Sequence, residues 1–176
     1  MVQHLCSNLV RCGSKQPYES LNVCTTFIMK NSYIDIAYKQ AQLAFQKDEV
    51  PVGCVIVKDD EVIAKAYNKK ERNNSAINHA EIECIKKANK KINNWNLKGC
   101  TMYVTLEPCM MCTGAIINSR IDEVIIGTKD PKGGAFVSNI KINKIKNINH
   151  YPKFKVIDDE RCSLILKEFF KQKRHK

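Results

Sequence analysis

From residue 32 onward the chain falls into blocks whose apolar positions recur with two different periods. In SYIDIAYKQAQLAFQKD, Ile34, Ala37, Ala41, Ala44 and Phe45 lie near helical spacing, and Ser32 stands where an N-cap belongs. The period then changes. In VPVGCVIVKDDEVIAKAYN the run Val52 to Val57 is almost wholly apolar, Asp59-Asp60 supplies a turn, and Val62 to Tyr67 alternates, which together predict a hairpin. A strand apolar on both faces belongs in the middle of a sheet covered by helices on both sides.

The polar loop NKKERNNSAIN leads into a predicted helix, HAEIECIKKANKK, and the strand CTMYVTL follows. A further helix is predicted to begin in EPCMMCTGAIINS, with Pro108 in its first turn, where a missing N–H costs little. The strand DEVIIG, the loop TKDPKGGAFVSN, the lysine-rich IKINKIKNINHYPK, a short strand FKVID and an amphipathic helix from Asp158 to about Lys173 complete the order. Strands alternating with helices predict one α/β domain of three layers, α/β/α, over residues 29–176. Residues 1–28 show no sustained period and hold two basic residues, a weak basis for a transit segment. The expectation there is a disordered extension, with Met29 as an alternative or true start.

The composition, 44% apolar and 27% charged, is that of a globular protein, and no run approaches the roughly 18 apolar residues of a membrane span. The net charge of +11 is unevenly placed: Lys141 to Lys176 holds 11 basic and 4 acidic residues. Such a tail suits a polyanion, because neutralising phosphates releases counterions; the plainer reading is a solvated lysine-rich face. Nine cysteines make an odd count without framework spacing, and Cys54 and Cys84 sit inside apolar patterns as small core residues. A reducing, cytoplasmic compartment is expected, where a C-x-x-C pair serves metal or redox chemistry.

Two stretches carry candidate chemistry, NHAEI at 78–82 and EPCMMC at 107–112, each at the start of a predicted helix. Taken alone, Cys109 and Cys112 fit a redox pair, a structural zinc site or a catalytic one. With His79 they offer one imidazole and two thiolates, donors suited to Zn²⁺, and a helix N-terminus lowers a thiol pKa. Three protein ligands leave a fourth position for water, as in catalytic sites; a closed site would need Cys84, Cys100 or His150 as well. Glu81, two residues beyond His79, points to another side of the helix and is placed to relay protons. Met110 and Met111 are expected to be packing residues, and Glu107 has no role in this chemistry.

The combination is more specific than its parts: H-x-E, about thirty residues, then P-C-x-x-C. The chain resembles the zinc-dependent cytidine deaminase superfamily, whose signature this is, and within it the bacterial-type tRNA adenosine deaminases. The similarity runs from about Ile34 to Arg174 through EVPVGCVIV, NHAEI, YVTLEPCMMCTGAI, SRIDEVIIG, KDPKGGA and EFFKQKR. It implies a cytidine-deaminase-like fold around a central mixed five-stranded sheet, and one zinc ion per chain with water or hydroxide as fourth ligand. The implied activity is hydrolytic deamination of adenosine to inosine at the wobble position of tRNA, with tRNA-Arg as the expected substrate. Zinc-held hydroxide would attack carbon 6 of adenine while Glu81 shuttles protons and ammonia leaves.

The same resemblance assigns positions around the substrate. Asn68 matches a residue that hydrogen-bonds the base, and Pro51, Val52 and Leu106 match apolar positions lining the nucleoside pocket. Asp130 and Lys132-Gly133-Gly134 match a loop that touches the anticodon backbone. Phe169, Phe170, Lys171, Lys173 and Arg174 match a terminal helix that helps to hold the splayed-out RNA, where aromatic faces stack and cations meet phosphate. Asn78 stands where alanine is frequent and Phe136 where a small residue is usual; both are expected to tune RNA contacts. A homodimer that binds the tRNA anticodon arm across both subunits is implied, without a membrane.

Other readings of the residues stay open at this level. A deaminase of a free nucleobase or nucleotide, of the guanine or cytosine type, needs the same metal set but no basic tail. A non-catalytic assembly subunit would not need Glu81. A redox protein working through Cys109 and Cys112 would leave His79 and Glu81 without a role.

Overall fold

A computed structural model of the chain describes residues 33–174, so Ser32 and the whole of residues 1–28 lie outside the described residues. Helix α1 covers residues 33–46, with Ile34, Ala37, Ala41 and Ala44 all buried, as their spacing predicts. The hairpin follows as β1 (Gly53–Lys58) and β2 (Glu61–Tyr67), antiparallel. Its turn residues Asp59 and Asp60 both have positive φ, 49° and 60°, the mirror-image turn whose twist matches that of the strands.

Helix α2 (Ala80–Ile92) packs on this hairpin, and β3 (Cys100–Leu106), α3 (Met110–Asn118) and β4 (Glu123–Thr128) form a parallel β-α-β unit. A short 3-10 turn at Ile142–Lys144, unforeseen in the lysine-rich stretch, precedes β5 (Lys153–Val156) and α4 (Glu160–Arg174). The sheet order is β2-β1-β3-β4-β5, antiparallel across β2-β1-β3 and parallel across β3-β4-β5, which is the mixed five-stranded sheet expected.

The central strands are apolar on both faces because they serve two cores. Cys54 and Ile56, Met102 and Val104, and Val124 and Ile126 pack with Cys84, Ala88 and Ile116 of α2 and α3. The alternate residues Val55, Val57, Tyr103 and Ile125 turn the other way, onto Tyr33, Ile34 and Ala37 of α1. Helix α4 joins α1, with Phe169 edge-on to Phe45 at 5.9 Å, completing the third layer. Gly53 permits the close approach of β1 to α1: a Cβ there would overlap the Ala37 carbonyl oxygen and stand 2.5 Å from the Ala41 amide nitrogen.

Three local expectations are corrected. Helix α3 starts at Met110, after Pro108, because residues 107–109 stay extended and bond to the loop beyond β4. The Glu107 amide donates to the Thr128 carbonyl (2.8 Å), the Ala135 amide to the Pro108 carbonyl (2.9 Å), and Cys109 bridges Gly134. Met110 is 68% exposed, so only its neighbour Met111 is partly covered. Phe136 is fully buried with its ring 5.3 Å from that of Phe154: it fills the core beside β5 and has no face to offer RNA.

Candidate active site

Both candidate metal-binding stretches place a residue at the junction of extended chain and helix. His79 is the N-cap of α2 (φ −70°, ψ 156°) and Cys109 the N-cap of α3 (φ −72°, ψ 175°), and neither side chain caps its own helix. Both are free to turn toward each other. The His79 Nδ1 lies 3.7 Å from Cys109 Sγ and 3.5 Å from Cys112 Sγ, and the three ligand atoms fall within 4.8 Å of one another. With Zn–N near 2.05 Å and Zn–S near 2.3 Å, a tetrahedral site has N···S edges of about 3.6 Å, so the donor set and its spacing fit zinc.

Among the described residues this trio is the group of His, Cys, Asp and Glu side chains able to hold a metal. The three reserve candidates for a closed site are engaged elsewhere or remote from it. Cys84 Sγ donates to the Cys54 carbonyl, His150 Nε2 lies 2.6 Å from the Ile121 carbonyl oxygen, and Cys100 is buried at the start of β3.

The electrostatics of the trio follow from its geometry. A hydrogen bond from the Cys112 thiol, together with His79, holds Cys109 down at about 4, against the opposing effect of burial. The same hydrogen bond, with burial, pushes Cys112 up, so the pair shares its first negative charge at Cys109. His79 is raised by its bond to Cys109 in spite of partial burial.

Glu81, 4% exposed, sits in the first turn of α2 and is not a member of the trio. Burial raises its carboxyl pKa, opposed by the nearby imidazole. A carboxyl in this state can hold a proton and release it to a neighbour.

A cleft of about 190 Å³ opens over these groups, lined by His79, Glu81 and Cys109 together with Asn68, Val52, Leu106 and Asp130. Pro51 is buried but stands outside the lining, and Lys132 is exposed beyond its rim. On α4, Phe169 is buried while Phe170 is 47% exposed. Lys171, Lys173 and Arg174 are exposed, with Lys173 paired to Asp48 at 2.7 Å. None of the five α4 residues lines the cleft.

Two buried carboxylates shape the cleft walls: Glu107, which sequence reasoning left without a role, and Glu49, which it passed over. Glu107, 2% exposed, accepts hydrogen bonds from the amides of Asp130, Phe136, Val137 and Ser138 and from the Ser138 hydroxyl. Burial pushes this carboxyl up, but the converging donors outweigh it and hold it below the usual range. Gly134 must be glycine, since a Cβ there would overlap that carboxylate. Glu49, fully buried, accepts from Asn68 Nδ2 (3.1 Å), the Glu71 amide (3.1 Å) and the Arg72 amide (2.6 Å). Val50, Lys70 and Ala80 also line the cleft. The one sequence signal for the two acids is a carboxylate at the edge of an apolar run, which cannot name its distant partners.

Residues 28–174 match the family model of the MafB19-like deaminases. The tRNA-specific adenosine deaminase of Aquifex aeolicus (strain VF5) is 42% identical over 146 residues, covering 83% of this chain and 97% of that protein. A solved structure from a study of A-to-I editing by tRNA:A34 deaminases at the wobble position of transfer RNA superposes with a TM-score of 0.75 at 36% identity, over 77% of this chain and 99% of that one. The guanine deaminase of Bacillus subtilis is more distant, with a TM-score of 0.56 at 26% identity over 83% of this chain and 94% of that one. The chain therefore belongs to the MafB19-like deaminase family and groups within it with the tRNA-specific adenosine deaminases.

Proposed function

We propose that the protein hydrolyses adenosine to inosine at the wobble position of tRNA, tRNA-Arg being the first substrate to test. The observation that carries this reading is the buried Glu81 carboxyl in one cleft with Asn68 and with His79 and Cys109, two members of the trio that Cys112 completes beneath it. Its relatives named for tRNA deamination are also nearer in identity and TM-score than the guanine deaminase.

His79, Cys109 and Cys112 would hold one zinc ion, which supplies a Lewis acid that brings a water molecule's pKa toward neutrality. Overall, a C6–O bond forms and the C6–N6 bond breaks. Glu81 takes a proton as water adds, passes one to the adjacent ring nitrogen, and delivers one to the departing amine, which leaves as ammonia. Its burial keeps these transfers away from solvent protons. Asn68 hydrogen-bonds the base, while Val52 and Leu106 cover its apolar faces. Asp130, Lys132 and the exposed end of α4, with Phe170, Lys171 and Arg174, are assigned contacts to the anticodon arm. We take the chain to act as a homodimer in the cytoplasm, where tRNA is its partner; no described helix is long and apolar enough to cross a membrane.

The test is incubation of the zinc-loaded protein with an anticodon stem-loop carrying adenosine at the wobble position. Inosine should accumulate, with about one zinc per chain by elemental analysis. Ammonia release from free guanine, cytosine or adenosine, with none from the RNA, would replace this reading with a nucleobase or nucleoside deaminase.

A further inference from the structure

Asn68 and His79 are eleven positions apart, yet they flank the neck of a single loop. The Lys69 amide donates to the Asn78 carbonyl (3.0 Å), which closes the neck, and the loop folds on itself through Asn73 to Lys69 (3.1 Å) and Ser75 to Lys70 (3.0 Å). Its only tether to a buried side chain, among the described residues, is Glu49. That residue is fixed at the end of α1, where its amide donates to the Ala44 carbonyl (3.0 Å) and Asp48 turns the chain with φ 60°. From there the carboxylate meets three N–H donors on both of its oxygens: Asn68 Nδ2 and the Glu71 amide on Oε2, the Arg72 amide on Oε1.

Three donors on a fully buried carboxylate impose a polarity. An acceptor facing Glu49 would be repelled, so the amide of Asn68 is pinned with its Nδ2 end toward Glu49. The oxygen end has no partner among the described residues and is not among the buried side-chain atoms left unsatisfied, which leaves it at the surface of the cleft that Asn68 lines.

We propose that Glu49 is a positioning residue for the reaction. Its carboxylate fixes the amide of Asn68 so that Oδ1 faces the substrate as an acceptor. Glu49 touches no substrate and acts through Asn68. The proposal rests on the deaminase reading above, in which Asn68 meets the base.

The test uses the full-length, zinc-loaded protein and the anticodon stem-loop. Glu49→Gln replaces an acceptor oxygen by a donor and should lower kcat/KM by 10- to 100-fold, mainly through KM, with zinc content unchanged. In an Asn68→Ala background the same change should cost less than twofold. A brace that only stabilises the fold would instead lower Tm and multiply its full factor onto Asn68→Ala, which overturns the proposal.

A reciprocal pair guards against a variant that folds poorly. Asn68→Asp sets two carboxylates face to face. Adding Glu49→Gln gives the aspartate a donor and should recover at least tenfold of the lost activity; no recovery counts against the proposal. Independently of turnover, the Asn68 side-chain amide protons should exchange slowly with solvent, with one of them shifted downfield by its bond to the carboxylate, in ¹⁵N NMR of the wild type; in Glu49→Gln exchange should speed up and that shift should be lost. Unaltered resonances overturn it too. Wild-type protein that makes no inosine strikes the functional reading, while the NMR comparison still decides the role of Glu49.

Discussion

Glu81 and Glu107 are both buried acids within the same cleft wall, but their surroundings set opposite duties. Glu81 has burial as its main influence and is raised, whereas Glu107 receives five donors and is lowered. The first can carry a proton; the second is fixed as an acceptor. Glu81→Ala should therefore reduce inosine formation by about 10²–10⁴-fold, the range usual for a positioned acid–base group, and leave one zinc per chain. Loss of zinc in that variant would mean Glu81 belongs to the ligand set after all. Glu107→Gln should act on the fold. Hydrogen bonds to a charged group contribute about 1.5–3 kcal/mol each, so a neutral side chain that must turn one donor toward the amides should cost about 2–4 kcal/mol in urea unfolding. Hydrogen exchange at the amides of residues 136–138 should speed up in parallel. Unchanged exchange there would show that the loop is held by its own backbone bonds.

At the scale of elements, the close contact of β1 with α1 gives the sharpest expectation. Gly53→Ala forces a methyl into the backbone of α1 at Ala37 and Ala41, where no side chain can move aside. Overpacking of this kind costs about 1–3 kcal/mol, read as a lower urea midpoint with an unchanged slope. Because Val52 and Val50 line the cleft just upstream, activity should fall along with stability.

The same hairpin explains how much was legible in the sequence. Its strands, its Asp59-Asp60 turn and the buried stripe of α1 are written in local periodicity, which needs no knowledge of partners. His79, Cys109 and Cys112 were legible as a candidate donor set because metal chemistry restricts residue type, and Glu81 joined them through the signature H-x-E…P-C-x-x-C. What could not be read depends on contacts far along the chain. Pro108 looked like a helix start until the loop at 134–135 was seen to hold residues 107–109 extended. Phe136 looked like a surface change until its packing on Phe154 was known, and Glu49 drew no reading because the amides of residues 71 and 72 that close on it lie more than twenty positions along the chain.

Over the whole molecule the question is whether the net charge of +11 is a working surface or only a solubilising one. It is not spread evenly: residues 131–157 hold six lysines and no acid, so part of any salt dependence will survive changes elsewhere. The terminal helix is the place to test, because its cations differ in their surroundings. Lys173 is paired with Asp48 and lies 5.4 Å from the Phe169 ring centroid, whereas Lys171 and Arg174 have no carboxylate partner among the described residues. A lysine already neutralised gains less from a phosphate, since an existing pair must first be opened. Each phosphate contact contributes about 0.7–0.9 to the slope of log K against log salt. Replacing Lys171 and Arg174 together by glutamine should therefore flatten that slope by about 1.5 for the anticodon stem-loop, and Lys173→Gln should flatten it by less than half as much. The measurement is stem-loop affinity across a salt series for the wild type and both variants. Equal, unchanged slopes would mark the terminal helix as a solvated face and move the RNA contacts to the lysine-rich segment before β5.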